Sequence, residues 1–250
     1  MSANRAAGGL DVSADHLYRQ RLWSFLEGNQ GRLPALADAR SQTFDPEAVL
    51  ARRRAQTLLY DAGYVGITWP WRYGGRNGSP AQQAIVTEEL AAASLAHLLD
   101  TPALRVCGPL IVAYGTDDVK ARYLRRLLRG DDLWCSLTDQ RGAAGDLVGQ
   151  DLAAECWDDG TWHVAGRILC TAHALHADNG LLAAQLTPPR GVRPRRAHFI
   201  VAMGSPGITV SALHPGAGGA QCAQVIFDDV AINDRQRLVV VTRGDGAPAT

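Results

Sequence analysis

Two spacings of apolar residues divide the sequence near residue 131. Before that point they recur every three or four positions, as in Val49, Leu50, Leu58, Leu59 and Ala62, then Val86, Leu90 and Ala93, then Tyr123, Leu124, Leu127 and Leu128. Such a stripe predicts helices that bury one face. The punctuation agrees: Asp45-Pro46-Glu47 supplies an N-cap, a first-turn proline and an acid, Ser79 and Gln82 form a capping box, and Thr116 caps the last helix. Gly63 and Gly130 are the expected stops, Thr101-Pro102 opens a segment broken near Gly108-Pro109, and the chain up to about Val12 reads as loose. From Leu133 the period falls to two, which predicts strands over 133–138, 152–157, 162–169, 180–186, 198–203, 208–213 and 224–227. Asp159-Gly160 is the pair a tight hairpin prefers, and 188–196 reads as a second hairpin loop whose arginines form a solvated tip. The expected architecture is α+β: an N-terminal all-helical domain (1–131), a small antiparallel β-sandwich or barrel domain (132–240) and a disordered tail (241–250).

Composition removes several classes of function. Lys+Arg and Asp+Glu both count 25, so no overall field recruits nucleic acid or an anionic membrane. Neither an apolar run of spanning length nor an N-terminal h-region is present, so no membrane insertion is expected and the cytoplasm is the expected compartment. Five cysteines lie far apart with no C-x-x-C, which predicts reduced and mostly buried thiols, Cys135 and Cys170 among them as packing residues.

Other constellations have plain readings. His173-x-x-His176 with Asp178 lacks the second ligand pair a metal centre needs. Gly216-Ala217-Gly218-Gly219 has no following Lys-Ser/Thr and reads as a turn, and Asp228-Asp229 reads as a strand-end turn. Trp69 and Trp71 fit a core role and a place near a site equally well. The helix-to-strand junction at Gly130-Asp131-Asp132, with the glycine-rich turn after Thr138 leaving backbone N–H groups unspent, is where a ligand site is expected.

The loop from Gly63 to Gly75 is similar to the pattern Gly-aromatic-x-Gly-Ile-Thr-Trp-Pro-x-x-Tyr-Gly-Gly. Ala84-Ile85-Val86-x-Glu88-Glu89-Leu90, Tyr114-Gly115-Thr116 and Lys120-x-x-Tyr123-Leu124 follow. Then come Trp134-Cys135, Gly142-Ala143, Asp146-Leu147, Val164-x-Gly166, His176-Ala177-Asp178, Ser205-Pro206-Gly207, Gly218-Gly219-Ala220 and Phe227-Asp228-Asp229-Val230. In this order, from about Asp45 to Leu238, they resemble the acyl-CoA dehydrogenase family of flavoproteins, whose subunit is a helical domain, a β domain and a second helical bundle. The resemblance implies FAD as cofactor and α,β-dehydrogenation of an acyl-CoA, with the flavin ring against the β domain. The ring would take hydride from the β-carbon while a carboxylate removes the α-proton, and hydrogen bonds to the thioester carbonyl acidify that proton. It implies Ser136, Thr138 and Thr171 as cofactor-binding residues and Gly142 as substrate-binding. It further implies a homo- or hetero-oligomer with another chain of the family.

The same resemblance exposes departures. The family stretch Trp-Cys-x-x-x-Ser-Glu-Pro-x-Ala-Gly-Ser-Asp, aligned without gaps, puts Asp139 at the first Ser, Gln140 at the Glu, Arg141 at the Pro and Gly145 at the second Ser. A one-residue slip makes Leu137-Thr138-Asp139 the match, with Thr138 giving the hydroxyl. Val-Trp-Thr-Ser aligns with Leu169-Cys170-Thr171-Ala172, so the indole over the ring and the hydroxyl beside it are absent. After Arg237-Leu238-Val239 the family continues into the bundle that carries its catalytic carboxylate, whereas this sequence runs to Thr250, so no catalytic residue is assigned. Two functions follow: an acyl-CoA dehydrogenase-like oxidoreductase chain, catalytically incomplete on its own, or a non-catalytic degenerate partner subunit of an active acyl-CoA dehydrogenase. If the alignment is right, Cys170→Trp with Ala172→Ser raises flavin affinity by roughly tenfold or more, at about 1 kcal/mol for each restored contact. A flavin titration that shows no change places the wrong residues at the ring.

Overall fold

Three helices of the first half end in the same hydrogen-bonded device. The structure, a computed structural model, describes residues 7–33, 46–99, 101–138, 152–187, 195–213 and 222–238. Helices α1 (Ala7–Gly28), α2 (Pro46–Asp61), α3 (Pro80–Ala92), α4 (Gly108–Tyr114) and α5 (Asp117–Arg129) follow in order. Past α2, Gly63 N–H donates to the Tyr60 carbonyl and Tyr64 N–H to Leu59. Past α3 the pairs are Ser94 to Ala91 and Leu95 to Leu90, and past α5 they are Gly130 to Leu127 and Asp131 to Arg126. Each is a Schellman cap, which requires a left-handed residue at its centre: Gly63 (φ +91°), Ser94 (φ +60°) and Gly130 (φ +81°). Ser79 and Gln82 make the expected reciprocal capping box at α3, and the Thr116 hydroxyl accepts the Val119 N–H at 3.3 Å. Asp45, the expected cap of α2, lies outside the described residues.

Two helical expectations need correction. The backbone of α1 is helical from Ala7, where a loose segment up to about Val12 was expected. Gly108-Pro109 does not break its segment: a π turn over Ala103–Cys107 runs directly into α4, and the wider turn accommodates a proline that has no N–H to give. No helix among the described residues is long and apolar enough to cross a membrane.

The chain divides into two compact units, one made of residues 1–105 and 123–131, the other of 106–122 and 132–250. The first has a core of Leu22, Leu26, Leu59, Ile67, Val86, Leu90, Leu98 and Leu128, all buried. Its loop 64–78 folds back on itself, with Arg76 N–H on the Gly66 carbonyl (3.0 Å), Asn77 N–H on Trp69 (3.0 Å) and Gly78 N–H on Ile67 (2.7 Å). Trp69 packs half-buried against that core, while Trp71 is 72% exposed and is no core residue.

In the second unit the strands are β1 (Trp134–Leu137), β2 (Ala153–Cys156), β3 (Thr161–Thr171), β4 (Asn179–Leu186), β5 (Arg196–Ala202), β6 (Ile208–Leu213), β7 (Cys222–Asn233) and β8 (Arg237–Leu238). They form one sheet in the order β6-β7-β3-β2-β4-β5-β8, with β1 also on β4. Inward residues of β1 to β7 meet in one apolar interior that includes Leu137, Ile168, Leu182, Phe199, Val225 and Phe227. The expected sheet was antiparallel; this one is mixed, because β1 and β2 both run parallel to β4. Alternation along a strand reports which face is buried, not the direction of its neighbour.

Turn chemistry corrects two further details. The β2–β3 hairpin has a three-residue loop, Asp158-Asp159-Gly160, with Gly160 left-handed at φ +78°. Trp157 N–H donates to Thr161 and Gly160 N–H to Trp157, so the glycine serves a bulge-type closure rather than a two-residue turn. Asp228-Asp229 does not end its strand. The two residues oppose Ala165 alone, between the pairs Val164↔Val230 and Gly166↔Phe227, and form a bulge with Asp229 at φ +51°. The turn Ser205-Pro206-Gly207 carries its proline and left-handed glycine in the positions a type II turn demands.

Ser94 is exposed and sits in a conformation that costs a β-carbon. Ser94→Gly is therefore expected to stabilise the protein by about 0.5–1 kcal/mol, read as a higher melting temperature.

Candidate functional site

Strand β1 is buried at all four positions, which a strand covered on both faces requires. Cys135 and Leu137 point into the β interior, so Trp134 and Ser136 share the opposite face. Ser136, only 6% exposed, holds its hydroxyl 2.8 Å from that of Thr138, one residue beyond the strand. Two of the expected cofactor-binding residues thus form one hydroxyl pair at the end of β1. Each hydroxyl carries one hydrogen and two lone pairs, so the shared bond leaves one O–H and further lone pairs to offer.

The edge of β4 explains how the next stretch is presented. Strand β5 occupies one edge of β4 along its length, so β1 and β2 share the other. Strand β1 pairs up to Leu137↔Leu182 and β2 begins at Ala153↔Gln185. The last pair of β1 and the first pair of β2 thus stand three positions apart on β4, about 10 Å at the rise of a strand. Residues 139–151, with Asp139, Gln140, Arg141, Gly142, Gly145 and Asp146, lie outside the described residues. Thr171 ends β3, where its backbone pairs with Cys222; the side chains of Cys170, Thr171 and Ala172 lie outside the described residues.

Strand β1 is fixed from several sides. The Leu133 N–H donates to the Asp178 carboxylate (2.8 Å), and the Leu133 carbonyl accepts from the amides of Asp178 (2.8 Å) and Asn179 (3.0 Å). The Cys107 thiol donates to the Cys135 carbonyl at 3.5 Å, and burial pushes its pKa up to about 12, so it stays protonated and is no nucleophile. Cys135 is likewise fully buried, its sulfur 3.8 Å from that of Met203, and Cys156 is exposed, so that among the described residues two of three thiols are buried, as expected. Among the described residues no group of three His, Cys, Asp or Glu is placed to hold a metal. Asp178, weighed from sequence as a metal ligand, is occupied with the start of β1. Gly216–Gly219 lies outside the described residues.

Sequence reasoning missed a surface cluster on the same unit. Trp157 stacks on His163 with ring centres 3.6 Å apart, and His163 Nδ1 lies 2.7 Å from the Asp229 carboxylate. The only sequence signal was the family-like Asp228-Asp229, since the bulge that turns Asp229 toward His163 leaves no periodic mark.

Comparison with known proteins bears on both units. Residues 19–131 match the family described as acyl-CoA dehydrogenase, N-terminal domain. Acyl-CoA dehydrogenase FadE34 of Mycobacterium tuberculosis is 31% identical over 231 residues, covering 91% of this chain and 31% of its own length. The ChsE4-ChsE5 complex from Mycobacterium tuberculosis has the same fold over 92% of this chain and 57% of its own, with a TM-score of 0.70 and 22% identity. A glutaryl-CoA dehydrogenase from Mycobacterium smegmatis, solved in complex with FADH2, superposes with a TM-score of 0.63 and 16% identity over 90% of this chain and 55% of its own. The chain therefore spans between about a third and three fifths of the length of these proteins.

A β-carbon on Gly180 would stand 2.6 Å from Leu137 Cδ1, 3.0 Å from Met203 Sδ and 3.4 Å from Cys135 Sγ. Gly180→Ala is expected to cost about 1–3 kcal/mol by overpacking beneath β1, measured as a lower urea midpoint at unchanged slope.

Proposed function

The chain belongs to the acyl-CoA dehydrogenase family, and from that premise we propose that its β unit forms one wall of an FAD site in an enzyme that desaturates an acyl-CoA between its α and β carbons. The observation that carries this reading is the Ser136–Thr138 hydroxyl pair at the end of a buried strand. Its remaining donor and lone pairs suit the polar edge of a flavin, which alternates acceptors and donors. Ser136, Thr138 and Thr171 would hold the cofactor, and Gly142 would approach the substrate. The bound flavin would supply the hydride acceptor. The chain's own part is to bind and orient, with the helical domain taken as 1–131, the β domain as 132–240 and a tail beyond it. The carboxylate that removes the α-proton comes, in this reading, from outside these 250 residues, on a further helical bundle or another chain of the family, with the assembly in the cytoplasm.

A second reading makes the chain a non-catalytic partner of an active relative. Asp139, Cys170 and Ala172 favour it, since they stand where the resemblance implies a serine, a tryptophan and a serine. A carboxylate at Asp139 beside an electron-rich reduced flavin would be repelled. That one matching structure is the complex of two named chains supports a role for a partner in either reading.

Flavin titration of the purified chain, alone and mixed with a bundle-bearing relative, separates the two. The first reading expects flavin absorbance to appear at least in the mixture, and an acyl-CoA to bleach it. Protein that stays colourless under both conditions removes the first reading. Stoichiometric FAD in the isolated chain removes the second.

A further inference from the structure

Strand β1 lacks the usual device for setting register. An antiparallel neighbour is fixed by a short turn, but β1 and β4 are parallel, and all of 138–178 intervenes between them. A slip of one residue would carry Ser136, and with it Thr138 two positions on, to the opposite face. Four hydrogen bonds meet where the pairing begins. The Leu133 carbonyl accepts from Asp178 N–H and Asn179 N–H, and the Asp178 carbonyl accepts from Met203 N–H (2.9 Å). These three are backbone bonds, open to any residue type. The fourth is specific: the Asp178 carboxylate Oδ2 accepts the Leu133 N–H at 2.8 Å, one residue ahead of the first pair, Trp134↔Asn179. A β1 slipped by one residue would turn the N–H at that place to the opposite edge and lose the charge-assisted bond, about twice as strong as a neutral one.

We propose that Asp178 is a positioning residue for the ligand site: its carboxylate locks the register of β1 on β4 and so keeps the Ser136 and Thr138 hydroxyls on the ligand-facing side. This rests on the flavin-wall reading. The carboxylate of Asp178 bonds Leu133, three residues from Ser136, so it acts through the strand and not on the ligand.

The test uses the full chain as wild type, Asp178→Ala and Asp178→Asn, each titrated with FAD and followed by amide hydrogen exchange. The expected result for Asp178→Ala is FAD affinity weaker by about tenfold or more, with faster exchange confined to 133–138 while the β3–β7 pair keeps its protection. Asp178→Asn retains an acceptor oxygen and falls between the two. Wild-type FAD affinity and wild-type exchange at 133–138 in Asp178→Ala overturn the proposal, as does loss of protection spread evenly over the β unit. Should Asp178→Ala not fold, Asp178→Asn decides: unchanged exchange at 133–138 overturns it, and a selective rise supports it. If the wild type takes up no FAD, the flavin-wall reading fails, and exchange at 133–138 alone still decides whether Asp178 locks the strand.

Discussion

The last turn of α5 ends in carbonyl groups that its own helix cannot satisfy, and side chains of α2 satisfy them. Gln56, 4% exposed, donates its amide to the carbonyls of both Leu127 (2.9 Å) and Leu128 (3.0 Å). The Thr57 hydroxyl donates to Arg129 (2.9 Å) and the Arg53 guanidinium to Asp131. The Leu127 carbonyl also accepts the Gly130 N–H of the cap, so the bonds to Leu128 and Arg129 count most, since a buried carbonyl left without a partner costs about 1–3 kcal/mol. Gly130 makes the arrangement possible: its left-handed backbone turns the chain, and a β-carbon there would come within 3.3 Å of the Gln56 amide carbon. The direction in which the polypeptide leaves the helical unit is thus set by polar satisfaction as much as by apolar packing.

The second unit solves a similar problem with backbone. Parallel strands need long connections and so cannot inherit their alignment from a turn. Here β1 and β2 are laid end to end along one edge of β4, with a close approach at Gly180 that a β-carbon would crowd. The opposite edge is filled by β5 in seven consecutive pairs from Asn179↔Ala202 to Gln185↔Arg196, which makes β4 the rigid reference for its neighbours.

Much of this could be read in the sequence because it rests on local chemistry. The capping box at Ser79 and Gln82, the glycine stops at 63 and 130 and the alternation in 208–213 each concern residues within a few positions of one another, and each element stands where expected. Long-range features could not be read this way. Nothing local distinguishes a strand that will pair parallel, so the parallel pairing of β1 and β2 with β4 is not legible, whereas the antiparallel β2–β3 hairpin is. Asp178 looks like a ligand in a His-x-x-His-x-Asp string until Leu133, 45 positions away, is seen beside it. Ser136 and Thr138 were legible through resemblance alone, and that they bond to each other was not.

Strands β1 and β2 are each anchored on β4 by pairs of their own, Trp134↔Asn179 to Leu137↔Leu182 and Ala153↔Gln185 to Ala154↔Leu186, on either side of the connection from Thr138 to Leu152. Leu133, Asp178, Gly180 and Gln185 would hold the same frame whatever sequence joined the two strands. Natural selection can therefore rewrite that connection without dismantling the scaffold. A lineage released from the demand for chemistry would drift first there, and an ancestral binding motif would erode while the surrounding architecture persisted.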